Sequence, residues 1–185
     1  VTLVGVLSAD QVLYSDDFRS NERGFDLLTQ VVGRSGRGTK RGRAIIQTYT
    51  PENPVIALAS HQDYVHFYHQ EILFRKAMLY PPFADIVVIG FVGEQESKVA
   101  KASQLFLEML SHLASKEYSE LPIRALRPTP AQVAKVSNKY RYKLMIKCKN
   151  NLTFRTMLSR LLVACGKEKA FAGVTVYADS NPDMI

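Results

Sequence analysis

Apolar residues run almost unbroken through Val1-Thr2-Leu3-Val4-Gly5-Val6-Leu7, and residues 1–9 therefore predict a strand buried on both faces, as in a parallel sheet. Asp16 or Asp17 can cap the helix that follows, whose apolar stripe is Phe25, Leu28 and Val32. Gly33, Gly36 and Gly38 predict the end of that helix in a loop, and Ala44-Ile45-Ile46-Gln47-Thr48-Tyr49 predicts a second strand. Asn53-Pro54 is a helix start, with the cap followed by proline in the first turn. The helical pattern from Val55 to about Leu79 carries a break near Ser60-His61. Tyr80-Pro81-Pro82-Phe83 stops it, because proline cannot continue a helix and biases the preceding residue towards extended backbone.

The remainder predicts a strand over 85–92 and a helix over 97–114 with stripe Val99, Ala102, Phe106, Met109, Leu110 and Leu113. A strand follows over 123–136, interrupted by Pro128 and Pro130, then a turn at Ser137-Asn138 and a strand over 139–148. A helix over 151–165 and a strand over 173–178 complete the order βαββαβ, that of a ferredoxin-like α+β domain. The expected organisation is a piece of an α/β lobe over 1–53, a helical connector over 54–83 and a C-terminal domain over 84–185. The chain opens inside an apolar run without a methionine, and the first strand–helix–strand has no further sheet in this chain. Both points read as a segment of a longer protein.

Composition narrows the function classes. With 46% hydrophobic and 22% charged residues, the chain has the balance of a soluble globular protein, and no apolar run is long enough to span a bilayer. Cys148 and Cys165 sit in apolar patterns without metal-ligand spacing, so they read as reduced core thiols of a cytoplasmic protein, and no metal site is expected. The net charge of +7 suggests an anionic partner. Its distribution says more: five basic residues and no acids lie between Arg34 and Arg43, and eight basic residues and no acids between Leu121 and Lys149.

The chemistry-bearing motif is Q-x-x-G-R-x-G-R, filled by Gln30, Gly33, Arg34, Gly36 and Arg37. It predicts two guanidinium groups just past a helix end on a glycine-hinged loop, where their planar forks match phosphate oxygens. A plain Gly/Arg surface turn is the alternative. His61, His66 and His69 lack a set of ligands at helical spacing and read as surface or packing residues.

This motif resembles motif VI of the superfamily 2 helicases. Its surroundings resemble one family among them, the primosomal protein N′ (PriA) replication-restart helicases. Residues 1–10 look like the end of that family's motif V strand. The stretch Tyr14-Ser15-Asp16-Asp17-Phe18-Arg19-Ser20-Asn21-Glu22-Arg23 looks like its approach to motif VI. Gln47-Thr48-Tyr49-Thr50-Pro51-Glu52-Asn53-Pro54 looks like its strand exit, and Phe74-Arg75-Lys76 with Tyr80-Pro81-Pro82-Phe83 like its domain junction. The Asp179-Ser180-Asn181-Pro182 ending departs from the family's Asp-x-Asp-Pro at Asn181.

The resemblance implies a partial RecA-like helicase lobe followed by a DNA-binding domain. It also implies a 3′-to-5′ translocase of the bacterial cytoplasm and nucleoid, using ATP and magnesium. On it, Arg37 is an arginine finger on the γ-phosphate. Gln30 and Arg34 couple the nucleotide site to DNA, and Gly33 and Gly36 allow the backbone close to the nucleotide. The family's nucleotide-binding lysine loop, its acidic magnesium motif and its zinc-binding cysteines are not in this sequence. No ATPase activity of this chain alone is therefore expected, and zinc is expected in the longer protein only. The implied partners are forked and single-stranded DNA, single-stranded DNA-binding protein and primosome proteins.

A second candidate surface is the strand from Lys139 to Cys148. Alternation puts Tyr140, Tyr142, Leu144, Ile146 and Cys148 on one face, and Lys139, Arg141, Lys143 and Lys147 on the other. Arg124, Arg127 and Lys135 can extend this basic face, which predicts contact with DNA backbone at steep salt dependence. A solvated lysine face, an acidic protein segment and RNA are the competing readings. RNA ranks lower because the tyrosines share the phase of Leu144 and Ile146 and so face inward.

Overall fold

The computed structural model describes residues 2–35 and 42–182. Its elements in chain order are β1 (Leu3–Val6), α1 (Asp10–Leu13), α2 (Ser20–Arg34), β2 (Arg43–Ile46), α3 (Pro54–Ser60) and α4 (Tyr64–Met78). Then come β3 (Asp85–Gly93), α5 (Glu96–Glu117), β4 (Arg124–Ala125), β5 (Thr129–Val136), β6 (Lys139–Cys148), α6 (Leu152–Lys167) and β7 (Val174–Ser180). The chain divides into two units between Met78 and Leu79. No helix among the described residues is long and apolar enough to cross a membrane.

In the first unit β1 and β2 pair in parallel, Val4 opposite Ala44 and Val6 opposite Ile46. The expected strand over 1–9, buried on both faces, is corrected: only four residues are extended, and exposed positions alternate with half-buried ones. Val6 and Ile46 pack on the core made by α1 to α4, whereas Leu3 and Ile45 are exposed on the opposite face. A parallel strand is buried on both faces only where helices cover both, and here the described helical core lies against one.

The core joins Ala9, Leu13, Phe25, Leu28, Val55, Ile56, Ala59 and Phe67. Phe25 of α2 and Phe67 of α4 stack with centroids 4.2 Å apart. At Gly24 any Cβ would run into Leu13, so the glycine lets α1 lie directly on α2. Neither Asp16 nor Asp17 caps α2: the cap position is Arg19, whose N–H donates to Asp17 Oδ1 at 2.9 Å. Asp17 thus fixes the turn before the helix, while Arg23 Nη1 lies 2.9 Å from its Oδ2. Asn53 does cap α3, accepting from Val55 N–H at 2.9 Å with Pro54 at the first helical position. The expected break follows, with α3 ending at Ser60 and α4 starting at Tyr64.

The second unit is an α+β, ferredoxin-like βαββαβ domain. Its antiparallel sheet runs β4-β6-β3-β7, and β5 also pairs with β6. Of the two prolines expected to interrupt a single strand, Pro128 lies in the break between β4 and β5, whereas Pro130 is inside β5 opposite Tyr142, and the pairing of β5 is irregular from there to Lys135. Ser137 (φ 48°) and Asn138 (φ 62°) make the predicted turn, both in the left-handed region as a two-residue hairpin with primed geometry requires. Val87, Ile89 and Phe91 of β3 and Leu144 and Ile146 of β6 pack beneath Val99, Phe106 and Leu110 of α5 and Phe154, Met157 and Leu161 of α6. Both helices therefore cover one face of the sheet, and the other carries the alternate residues. Asn151 caps α6 through Phe154 N–H at 2.9 Å. Asn181, at the departure from the expected acidic ending, accepts from Ile86 N–H at 3.0 Å and donates through Nδ2 to Asp85 Oδ1 at 3.3 Å. That last bond needs the amide.

Candidate nucleic-acid interface

The arginine–glycine motif lies in the first unit at the end of α2. Gln30 and Arg34 are one turn apart, Gln30 exposed, and Gly33 and Arg34 are the last two helical residues. This corrects the expected loop position of both: the helix runs through Gly33, and the chain becomes extended at Ser35, whose hydroxyl donates to Val32 O at 2.8 Å. Gly36 and Arg37, the expected finger, lie outside the described residues, as does the expected loop glycine Gly38.

A network centred on the buried Glu71 and reaching the exposed Glu22 anchors the other end of α2. Arg75 donates from Nε to Glu71 Oε1 at 2.8 Å and from Nη2 to Glu22 Oε2 at 2.7 Å, while Asn21 Nδ2 donates to Glu71 Oε2 at 3.2 Å. Burial works against the Arg75 charge, but the Glu71 and Glu22 carboxylates outweigh it and raise its pKa. Asp10 acts as a loop tie: its carboxylate accepts from Thr48 Oγ1 at 2.9 Å and from Tyr49 N–H at 3.2 Å. Burial raises its pKa, the hydrogen bonds lower it, and the net shift is downward.

In the second unit the sheet face turned away from the helices is read off the register. Gly90 of β3 is flanked by Lys143 on β6 and Tyr177 on β7, and Val92 by Arg141 and Thr175. Val88 lies between Met145 and Asp179. Further along, Ile86 adjoins Lys147, which pairs across to Arg124 on β4.

The predicted residues divide. Arg141 and Lys143 are half-buried on this face, and Lys139 is exposed at its end. Arg124 is exposed beside Lys147, and Arg127 is exposed in the segment between β4 and β5. Lys147 departs from expectation, being only 6% exposed. Its ammonium sits 3.8 Å from the centroid of the Tyr80 ring. Burial, then the Arg124 charge, lowers its pKa. Lys147 is thus a packed residue beneath an aromatic ring rather than an open cation.

Tyr140 and Tyr142 pack on the helix side, in phase with Leu144. Tyr142 donates to Glu96 Oε1 at 3.4 Å, and Lys135 Nζ lies 4.7 Å from the Tyr140 ring centroid. Lys135 therefore leans towards the tyrosines.

Sequence reasoning missed Tyr177. Along β7, Val174 and Val176 pack on the core while Thr175, Tyr177 and Asp179 take the other phase. Tyr177 travels with polar residues, which is the signal that could have found it. It is 42% exposed, and its ring lies so close over Gly90 that a Cβ there would collide with ring carbons.

The second unit thus defines the class: a ferredoxin-like domain with both helices on one side and a cation-bearing sheet face on the other. Residues 76–182 match the family described as primosomal protein N C-terminal domain, and the chain belongs to that family. It is 37% identical over 185 residues to replication restart protein PriA of Bacillus subtilis (strain 168), covering 100% of this chain and 22% of that protein. The corresponding protein of Synechocystis sp. is also 37% identical over 185 residues, with 21% of its length covered. That of Chlamydia muridarum is 39% identical over 158 residues, or 85% of this chain and 20% of that protein. The chain spans about a fifth of the length of these relatives.

Proposed function

We propose that this chain is the C-terminal part of an ATP-dependent 3′-to-5′ DNA helicase that restarts stalled replication, and that its own share of that work is holding forked and single-stranded DNA. The observation that carries the reading is the open face of the second unit. Lys139, Arg141 and Lys143 lie along one strand of a sheet whose other side is filled by α5 and α6. Such a face attracts phosphate without reading sequence. The family, and the replication-restart name its relatives carry, supply the biological setting.

In this reading the first unit is a portion of a RecA-like helicase lobe. Its parallel β1–β2 pair and the exposed Leu3 and Ile45 suit a sheet that continues in a longer protein. Arg37 is the arginine finger, and Gln30 and Arg34, on one edge of α2, relay between nucleotide and DNA. ATP with magnesium, and zinc, belong to the longer protein, as do the single-stranded DNA-binding protein and primosome partners.

Fluorescence anisotropy of the 185-residue chain tests the DNA assignment with forked DNA, single-stranded DNA, RNA and an acidic peptide at two salt concentrations. DNA binding should weaken strongly in Lys139→Glu/Arg141→Glu/Lys143→Glu. The logarithmic salt slope for single strands should shrink by about 0.7 for each phosphate that the variant no longer neutralises. Unchanged DNA binding in that variant refutes the assignment, and preference for the acidic peptide favours a protein-binding role. DNA-stimulated phosphate release that Arg37→Ala abolishes would contradict the division of labour between this chain and the longer protein.

A further inference from the structure

We infer that Tyr177, laid across Gly90, is a stacking platform for one base of a single DNA strand whose phosphates run along Arg141 and Lys143. The inference deepens the DNA-binding reading and rests on it. A base needs a flat π surface with one side open, and the register provides it. Gly90 has no side chain and is buried, so the neighbouring ring on β7 occupies the space above the strand. The ring is partly supported from below yet 42% exposed.

Charge is arranged on one side of that ring. Lys143 is two strands across from Tyr177 in the same row, with Gly90 between them, and Arg141 lies in the next row beside Val92. Asp179, an acid on the same face, follows Tyr177 on β7 in the next row, where the β6 residue is the uncharged Met145. A strand stacked on Tyr177 would therefore place its backbone towards β6. Thr175, next to Val92 and exposed, offers a hydroxyl at the platform's edge. Stacking of this kind tolerates any base, because every base presents a π face.

The test uses the 185-residue chain with a short thymidine oligonucleotide and an abasic strand of the same length. Tyr177→Ala should weaken thymidine binding roughly tenfold, the order expected for one stacked base, and leave abasic binding unchanged. Tyr177→Phe should retain both. Equal loss on the two strands overturns stacking. No loss with Tyr177→Ala, while Arg141→Glu still weakens binding, overturns the platform and leaves the DNA-binding face standing. No loss with either variant removes both. Should Tyr177→Ala fold poorly, photo-crosslinking of the unaltered chain to a bromouracil strand decides. Adducts should map to the β7 peptide holding Tyr177, and their absence there overturns the inference.

Discussion

The Lys147 ammonium and the Tyr80 ring meet at 3.8 Å from nitrogen to centroid, within the second unit and beside Arg124. The contact turns one cation of a basic strand into a packing element. A desolvated cation–π pair contributes on the order of 1–2 kcal/mol, and the aliphatic stem adds packing of its own. We expect Lys147→Ala to destabilise the second unit by about that amount, and Arg141→Ala to change stability by less than about 0.5 kcal/mol. DNA affinity should respond in the opposite order, falling more in Arg141→Ala. Denaturant unfolding and anisotropy on the two variants check this, and a larger affinity loss in Lys147→Ala would contradict it.

Cys148 and Cys165 predict a pH dependence. Burial, then the Asp85 charge, pushes the Cys148 thiol up to about 12, and burial pushes Cys165 up to about 11, from 9.0. Raised folded-state values favour the protonated thiols, so their contribution is complete below the unfolded value of 9.0 and is lost as pH rises through about 11 and 12. Because the thiolate is the reactive form, neither thiol should react with a disulfide reagent near pH 8 in the folded chain. Both should react once it is denatured. Unfolding midpoints should fall from pH 9 to 11, and more shallowly in Cys148→Ala/Cys165→Ala. Rapid labelling of the folded chain would contradict the burial.

The Arg75 network predicts strong coupling in the first unit. Glu71 is 8% exposed and takes hydrogen bonds from Arg75 and Asn21. Removing the guanidinium alone strands a buried carboxylate, a change that costs about 3–5 kcal/mol. Arg75→Met should approach that loss, and Arg75→Met/Glu71→Met should recover most of it, since an apolar pair of similar volume is often neutral. Hydrogen exchange of α2 should rise in the single variant. Additive losses would show that the two side chains do not act as a pair.

The elements of the second unit were legible because each carries its own periodicity. Stripes such as Val99, Ala102, Phe106 and Leu110 repeat at the helical spacing and do become the core. Asn53 was readable as a helix start because a cap needs only local residues. Failures came where the answer depends on a partner distant in sequence. An apolar run such as Leu3 to Leu7 cannot report how many helices will cover its sheet. Lys147 alternates in phase with Arg141, but Tyr80 and Ile86, which bury it, come from a much earlier part of the chain. Tyr177 is not legible from the basic strand, because this open aromatic sits two strands away and depends on a glycine between.

That glycine gives the last prediction. A methyl group at Gly90 would occupy the space taken by the Tyr177 ring. The backbone beneath is the middle of β3, paired on both sides, and cannot move without breaking two ladders. The ring must therefore swing away, giving up its support on the strand. The atoms that must move are the far end of a side chain that is 42% exposed, so we expect Gly90→Ala to cost only about 1 kcal/mol, the low end of the range for forcing extra volume into a packed site. Removing the ring takes away the three atoms such a methyl group would meet first, and alanine is the better strand residue. Gly90→Ala in a Tyr177→Ala background should accordingly be neutral or stabilising. A double-mutant cycle by denaturant unfolding measures this directly, and a coupling energy near zero would mean that the ring does not rest on Gly90. Base binding should follow the ring: Gly90→Ala should lose the thymidine preference over the abasic strand even though Tyr177 is still present.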